Sequence, residues 1–150
     1  MRKWWVISLL MLSSLCRAEM SLEVGPMFLS GEYSEGGALI LSERFDKYSV
    51  SLGYIMEQWV TPRTEPRTHI RENLFVQGQR HFDLSQKWEL GVGVVYLNSI
   101  SRVQGSNFNA SLMVRYNIND RFTLNVRHFS NAGSAPPNMG QDMLTIGYNF

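Results

Sequence analysis

Apolar side chains recur at every second position in one segment after another of this chain. The clearest runs are Tyr48, Val50, Leu52, Tyr54 and Met56; Trp88, Leu90, Val92, Val94 and Tyr96; and Leu112, Val114, Tyr116 and Ile118. Successive side chains of a β-strand point to opposite faces, so a period of two specifies strands with one apolar face. The intervening positions are polar or small, as in Ser49, Ser51, Gly53; Glu89, Gly91, Gly93; and Ser111, Arg115, Asn117. The pattern predicts an all-β chain of eight strands near 20–30, 37–44, 47–60, 70–82, 87–98, 109–119, 121–131 and 141–150, with no room left for a helix.

The N-terminus reads as a secretory signal. Arg2 and Lys3 precede an apolar stretch from Trp4 to Leu15, and Cys16-Arg17-Ala18 carries small side chains at both ends. Cleavage after Ala18 is expected, leaving 19–150 as a single domain; Cys16, the single cysteine, would leave with the signal. Leu15 is too bulky for the residue before a lipidated cysteine, so no lipid anchor is expected there. The rest holds no apolar run of about 18 residues, the length a membrane-spanning helix needs. An exported chain of this kind is either a soluble sandwich or a closed membrane barrel, and alternation alone suits both.

Three features favour the barrel. Aromatic residues sit near strand ends (Tyr48, Trp88, Tyr96, Tyr116, Tyr148), as in interfacial girdles. Short connections (44–47, 83–86, 119–120) alternate with longer ones (31–36, 61–69, 99–108, 132–140). The last segment ends Tyr148-Asn149-Phe150, similar to the terminal signature of bacterial outer-membrane proteins. The expected fold is an eight-stranded antiparallel transmembrane β-barrel of the outer membrane, with short turns in the periplasm and long loops outside. Its narrow lumen is filled by side chains, with Arg115, Arg127, Glu57 and Glu89 expected to form an ionic network there.

On the last two segments the apolar face is interrupted. Even positions read Phe122, Leu124, Val126, His128, Ser130, then Asp142, Leu144, Ile146, Tyr148, Phe150. If 119–120 closes a hairpin and Phe150 lies at the same level, facing residues have numbers summing to about 270, which sets His128 opposite Asp142. Ser130 shares that face two residues along. A serine hydroxyl is a weak nucleophile until a base takes its proton, and a carboxylate must hold that base in one tautomer. Ser130, His128 and Asp142 supply those parts, and backbone N–H groups after Ser130 could serve a tetrahedral oxyanion. On an apolar face these parts point to hydrolysis of a lipid.

At these residues the chain resembles the PagL family, the lipid A 3-O-deacylases of the Gram-negative outer membrane. The resemblance rests on Arg127-His128-Phe129-Ser130-Asn131-Ala132-Gly133, a Pro/Asn/Gly loop (Pro137, Asn138, Gly140), and an acidic residue opening the final strand. It implies an eight-stranded barrel with a Ser/His/Glu triad facing the membrane near the external leaflet, and lipid A or lipopolysaccharide as substrate. It also implies Ser130 as nucleophile, His128 as base, and Asn131 with Gly133 as the oxyanion-hole region. Asp142 stands where the family pattern has glutamate; Glu65 and Glu72, on another hairpin, are the substitutes. Release of the 3-hydroxyacyl chain would follow.

Other expectations are plainer. Arg63 and Arg67 could hold lipid A phosphates, or belong to a solvated loop. His81 and Asp83, near a periplasmic turn and without a serine nucleophile beside them, read as structural. Neither metal nor cofactor is expected, because the three histidines are scattered and a triad needs no metal. A formal charge of +1 argues neither for nor against a nucleic-acid partner, but an export signal leaves none expected, and nothing indicates an oligomer. Two other functions fit the same pattern: a non-enzymatic barrel acting in adhesion or envelope stability, and a phospholipase or acyl transferase using the same face.

Overall fold

In the computed structural model, residues 19–29, 32–60, 68–101, 104–136, 138 and 140–150 are described. The expected signal segment 1–18 lies outside them, as do Arg63, Glu65, Arg67 and Pro137. The strands are β1 (Glu19–Leu29), β2 (Glu32–Phe45), β3 (Tyr48–Ile55), β4 (Gln58–Val60), β5 (Thr68–Ile70), β6 (Asn73–Asp83), β7 (Trp88–Leu97), β8 (Phe108–Asn117), β9 (Phe122–Ser130) and β10 (Gln141–Asn149). Eight of them close into a barrel in the order β1-β10-β9-β8-β7-β6-β3-β2, while β4 and β5 form a separate two-stranded sheet.

Burial decides between sandwich and membrane barrel. The apolar face of every long strand points out of the barrel: Val50 is 53% exposed, Val94 65% and Ile146 56%. A soluble sandwich hides this face; a membrane barrel gives it to lipid. Ring pairs mark the two rims. Trp88 and Tyr116 lie 4.8 Å apart and Phe122 and Tyr148 5.3 Å apart at the short-turn end, and Tyr96 and Phe108 lie 5.0 Å apart toward the long loops.

The lumen is divided. Its long-loop half is an apolar plug that includes Met27, Ile40, Phe75, Leu97, Phe129 and Met143, with Phe75 set edge-on to Phe129 at 5.1 Å. Deeper in, Arg127 donates from both terminal nitrogens to Glu23, at 3.0 and 3.2 Å, and the Thr145 hydroxyl donates to the same carboxylate at 2.8 Å. Arg115 lies 3.6 Å from Glu23 and 3.5 Å from Glu89, and Arg44 donates to Glu89 at 2.5 Å. The expected ionic network therefore forms, with Glu23 in place of Glu57. Glu57 is on the outside, 3.5 Å from His69. The reason is a parity slip: Met56 and Glu57 are both exposed between buried Ile55 and Gln58. One extra residue turns every later side chain to the other face.

The same slip breaks the strand expected over 47–60 into β3 and β4. Arg71 and Glu72, both exposed, break its partner into β5 and β6. The long connection expected at 31–36 is also absent, since β1 and β2 stay paired out to Leu29 and Glu32. Residues 32–36 carry no apolar alternation, but their backbone still completes the ladder, and Ser34 donates to the Met27 carbonyl at 3.0 Å. Pro26, which has no N–H to give, sits where the β1–β2 register shifts.

Candidate active site

The β9–β10 ladder runs from Tyr148 opposite Phe122 to Gln141 opposite Phe129, so Asp142 faces His128. Even-numbered residues of β9 are outside and odd ones inside: Thr123, Asn125, Arg127 and Phe129 are buried in the lumen. Phe129, wedged into the apolar plug, thus fixes the facing of His128 and Ser130 on either side of it. Their surroundings on the outer surface are Val126 and Leu144 along the hairpin, and Leu112 and Ala110 opposite on β8.

His128 Nδ1 and Asp142 Oδ1 are 2.7 Å apart, with side chains 45% and 34% exposed. A carboxylate accepts only, so Nδ1 carries a proton, and in the neutral ring Nε2 keeps its lone pair. The ring rests on Gly140, where a Cβ would sit 2.9 Å from His128 Cε1. Gly140 also has φ +69°, a region that L side chains rarely adopt, so both space and backbone select glycine there.

Beyond Ser130 the chain turns sharply. The Ser134 N–H donates to the Asn131 carbonyl at 3.0 Å across Ala132 and Gly133, whose φ values are 53° and 77°. Two successive positive φ angles mark a type I′ turn, and an alanine held there stores strain of about 1–2 kcal/mol. The turn arranges the groups around Ser130 Oγ. It accepts from the Ala132 N–H at 3.1 Å and from Asn138 Nδ2 at 3.0 Å. Asn138 is fixed in that orientation because its Oδ1 accepts the Asn131 N–H at 3.2 Å. A backbone bridge to Gln104 ties Asn138 to the preceding loop.

The structure thus brings His128 and Asp142 into contact, and sets Ser130 beside them on the same face. Among the described residues no hydrogen bond joins Ser130 to His128. The two N–H groups expected for an oxyanion are already engaged: that of Asn131 with Asn138, and that of Gly133 with Asn131 Oδ1 at 2.9 Å. The side-chain amide aimed at Ser130 belongs to Asn138, which in the sequence stands out only as a loop residue. Its signal is weak there, since it lies eight positions along the chain from Ser130, outside any alternating segment. Glu72 is exposed between β5 and β6, and among the described residues no hydrogen bond or ion pair joins it to His128. His81 does not pair with Asp83: its ring nitrogens meet Ser49 and Glu89. Among the described residues no cluster of three or more acidic, histidine or cysteine side chains could hold a metal ion.

The chain is similar in fold to two solved structures. One is the Yersinia pestis outer membrane protein Ail in a phospholipid bilayer nanodisc, 14% identical, with a TM-score of 0.55 over 89% of this chain and 100% of that one. The other is the outer membrane enzyme PagL, 18% identical, with a TM-score of 0.50 over 88% of this chain and 98% of that one. No curated protein matches the sequence. The sequence pattern of the lipid A 3-O-deacylase (PagL) family matches residues 37–150, which contain seven of the eight barrel strands in whole or in large part. This outer-membrane barrel belongs to the lipid A 3-O-deacylase (PagL) family.

Proposed function

We propose that the protein hydrolyses the 3-position ester of lipid A with Ser130 as nucleophile, His128 as base and Asp142 as the carboxylate that orients it. The observation that carries this reading is the 2.7 Å His128–Asp142 contact on the lipid-facing wall, beside Ser130 on the same face, in a chain of this family. The long-loop end faces outward, so the three residues meet the external leaflet and substrate enters sideways from the membrane. Rotation of the Ser130 side chain brings Oγ to His128 Nε2. Oγ then adds to the ester carbonyl carbon as its proton passes to Nε2, and the sugar oxygen leaves with that proton. Water hydrolyses the acyl-enzyme and frees a 3-hydroxy fatty acid.

Asn138 takes the oxyanion role in this reading, because its Nδ2–H, given to Ser130 Oγ at 3.0 Å before reaction, is released beside the ester carbonyl oxygen when Oγ turns to His128. The Asn131 and Gly133 N–H groups become available only if Asn138 Oδ1 and Asn131 Oδ1 withdraw. Asn138→Ala is therefore expected to lower the deacylation rate by about 10²–10³, the usual loss for one oxyanion donor. Rates on purified lipid A in detergent micelles measure it. A loss below threefold would return the role to the backbone.

The test of the whole reading is a mass spectrum of lipid A from a Gram-negative host expressing the chain, beside the same host expressing Ser130→Ala. The expected result is loss of one 3-hydroxyacyl mass with the intact serine only. Unchanged lipid A in both, with the barrel folded in the outer membrane, refutes the deacylase. Altered phospholipid or an added acyl chain would instead assign the face to a phospholipase or acyl transferase.

A further inference from the structure

A second serine, histidine and carboxylate converge inside the barrel, at the end opposite Ser130. Ser49 on β3, His81 on β6 and Glu89 on β7 all face inward near the short turns. Ser49 pairs across the ladder with Gln79 and His81 with Gly91, so the three side chains meet on the diagonals of three adjacent strands. Ser49 Oγ lies 2.7 Å from His81 Nε2, and His81 Nδ1 lies 2.8 Å from Glu89 Oε1. With Nδ1–H given to the carboxylate, Nε2 is the acceptor of the Ser49 hydroxyl proton. These are the contacts that activate a serine in hydrolases.

A buried polar plug would have the same chemistry without access. Here Ser49 lines a cavity of about 550 Å³ at the short-turn end, a volume within the usual range for small-molecule sites. Its lining is mainly polar and charged, with the Ser42 hydroxyl, the Arg44 and Arg115 guanidinium groups, the Glu19 and Asp120 carboxylates and the apolar Ile118, so it suits a small polar ester better than an acyl tail. Arg44 and Arg115 both reach Glu89 and both line the cavity, which places two cationic donors within range of charge that develops beside Ser49.

We propose that Ser49, His81 and Glu89 form a second nucleophilic site, inside the lumen, that hydrolyses small polar carboxylic esters entering from the short-turn mouth. Ser49 Oγ bonds to the carbonyl carbon while its proton moves to His81 Nε2. The ester C–O bond breaks, the alcohol departs with that proton, and water then cleaves the acyl-serine to the free acid. Water is the single co-reactant.

The test uses the full chain carrying Ser130→Ala, folded in detergent micelles, so that the lipid-facing serine contributes nothing whether or not it acts on lipid A. Two probes are applied: diisopropyl fluorophosphate, with the adduct located by peptide mass mapping, and 4-nitrophenyl acetate, with release of nitrophenolate followed by absorbance. The expected result is one phosphoryl adduct on Ser49, and a rate of labelling that falls about a hundredfold in Ser130→Ala/His81→Gln, as for loss of a general base. Ester turnover should be lost in Ser130→Ala/Ser49→Ala. Absence of the adduct on Ser49 in a barrel whose folded gel mobility is intact overturns the proposal, as does an adduct on another serine. The labelled position is read in the Ser130→Ala chain itself, so it decides the matter whether or not either double variant folds.

Discussion

Asp142→Asn is expected to reduce lipid A deacylation by about ten-thousandfold while leaving the barrel folded. The carboxylate touches His128 through a single 2.7 Å contact at Nδ1. An asparagine can present an N–H to that nitrogen, which moves the imidazole proton to Nε2 and removes the lone pair that must accept from Ser130. An imidazolium formed during reaction would also lose its counter-charge. Neither effect concerns folding, because Asp142 stands partly exposed on the outer wall and holds no luminal contact. The measurement is release of 3-hydroxy fatty acid from lipid A micelles, with heat-modifiable gel migration as the folding control. Activity within threefold of the parent would remove Asp142 from the mechanism. Asp142→Glu restores the residue type that the family resemblance implies and is expected to keep the enzyme active.

Arg127→Ala is expected to destabilise the barrel by about 3–5 kcal/mol, the cost of leaving a buried charge without its partner. Arg127 is 1% exposed and Glu23 is 0% exposed, and they meet through two hydrogen bonds in the centre of the lumen. Without the guanidinium the carboxylate keeps, among the described residues, Thr145 and a looser approach of Arg115 at 3.6 Å. Removing both charges together should cost far less, so Glu23→Leu/Arg127→Met is expected to recover most of the loss. Urea unfolding midpoints in detergent or lipid, at one fixed composition, compare the three chains. A single-variant loss under about 1 kcal/mol would mean that water already solvates this part of the lumen.

The His128–Asp142 pairing was legible in the sequence because the two residues lie on consecutive strands whose common level is set at the far end by the short 119–120 turn and by Phe150. A period of two sets which side chains share a face, and one hairpin closure sets who stands opposite whom. The bulges at 56–57 and 71–72 were not legible: an exposed Met-Glu or Arg-Glu pair breaks parity without any change in composition. Asn138 was hidden for a related reason, since its place beside Ser130 depends on a type I′ turn and a bridge to another loop.

By itself the sequence determined the strand pattern, the common face of His128, Ser130 and Asp142, and the apolar character of that face, all consequences of local alternation. Only the tertiary structure decided that this face is the outer wall, that Glu23 serves Arg127 from 104 residues away, and that Ser49 meets His81 across 32. Those relations arise when β1 closes on β10 and β6 lies against β3, because closure brings every inward side chain to one narrow axis regardless of its distance along the chain.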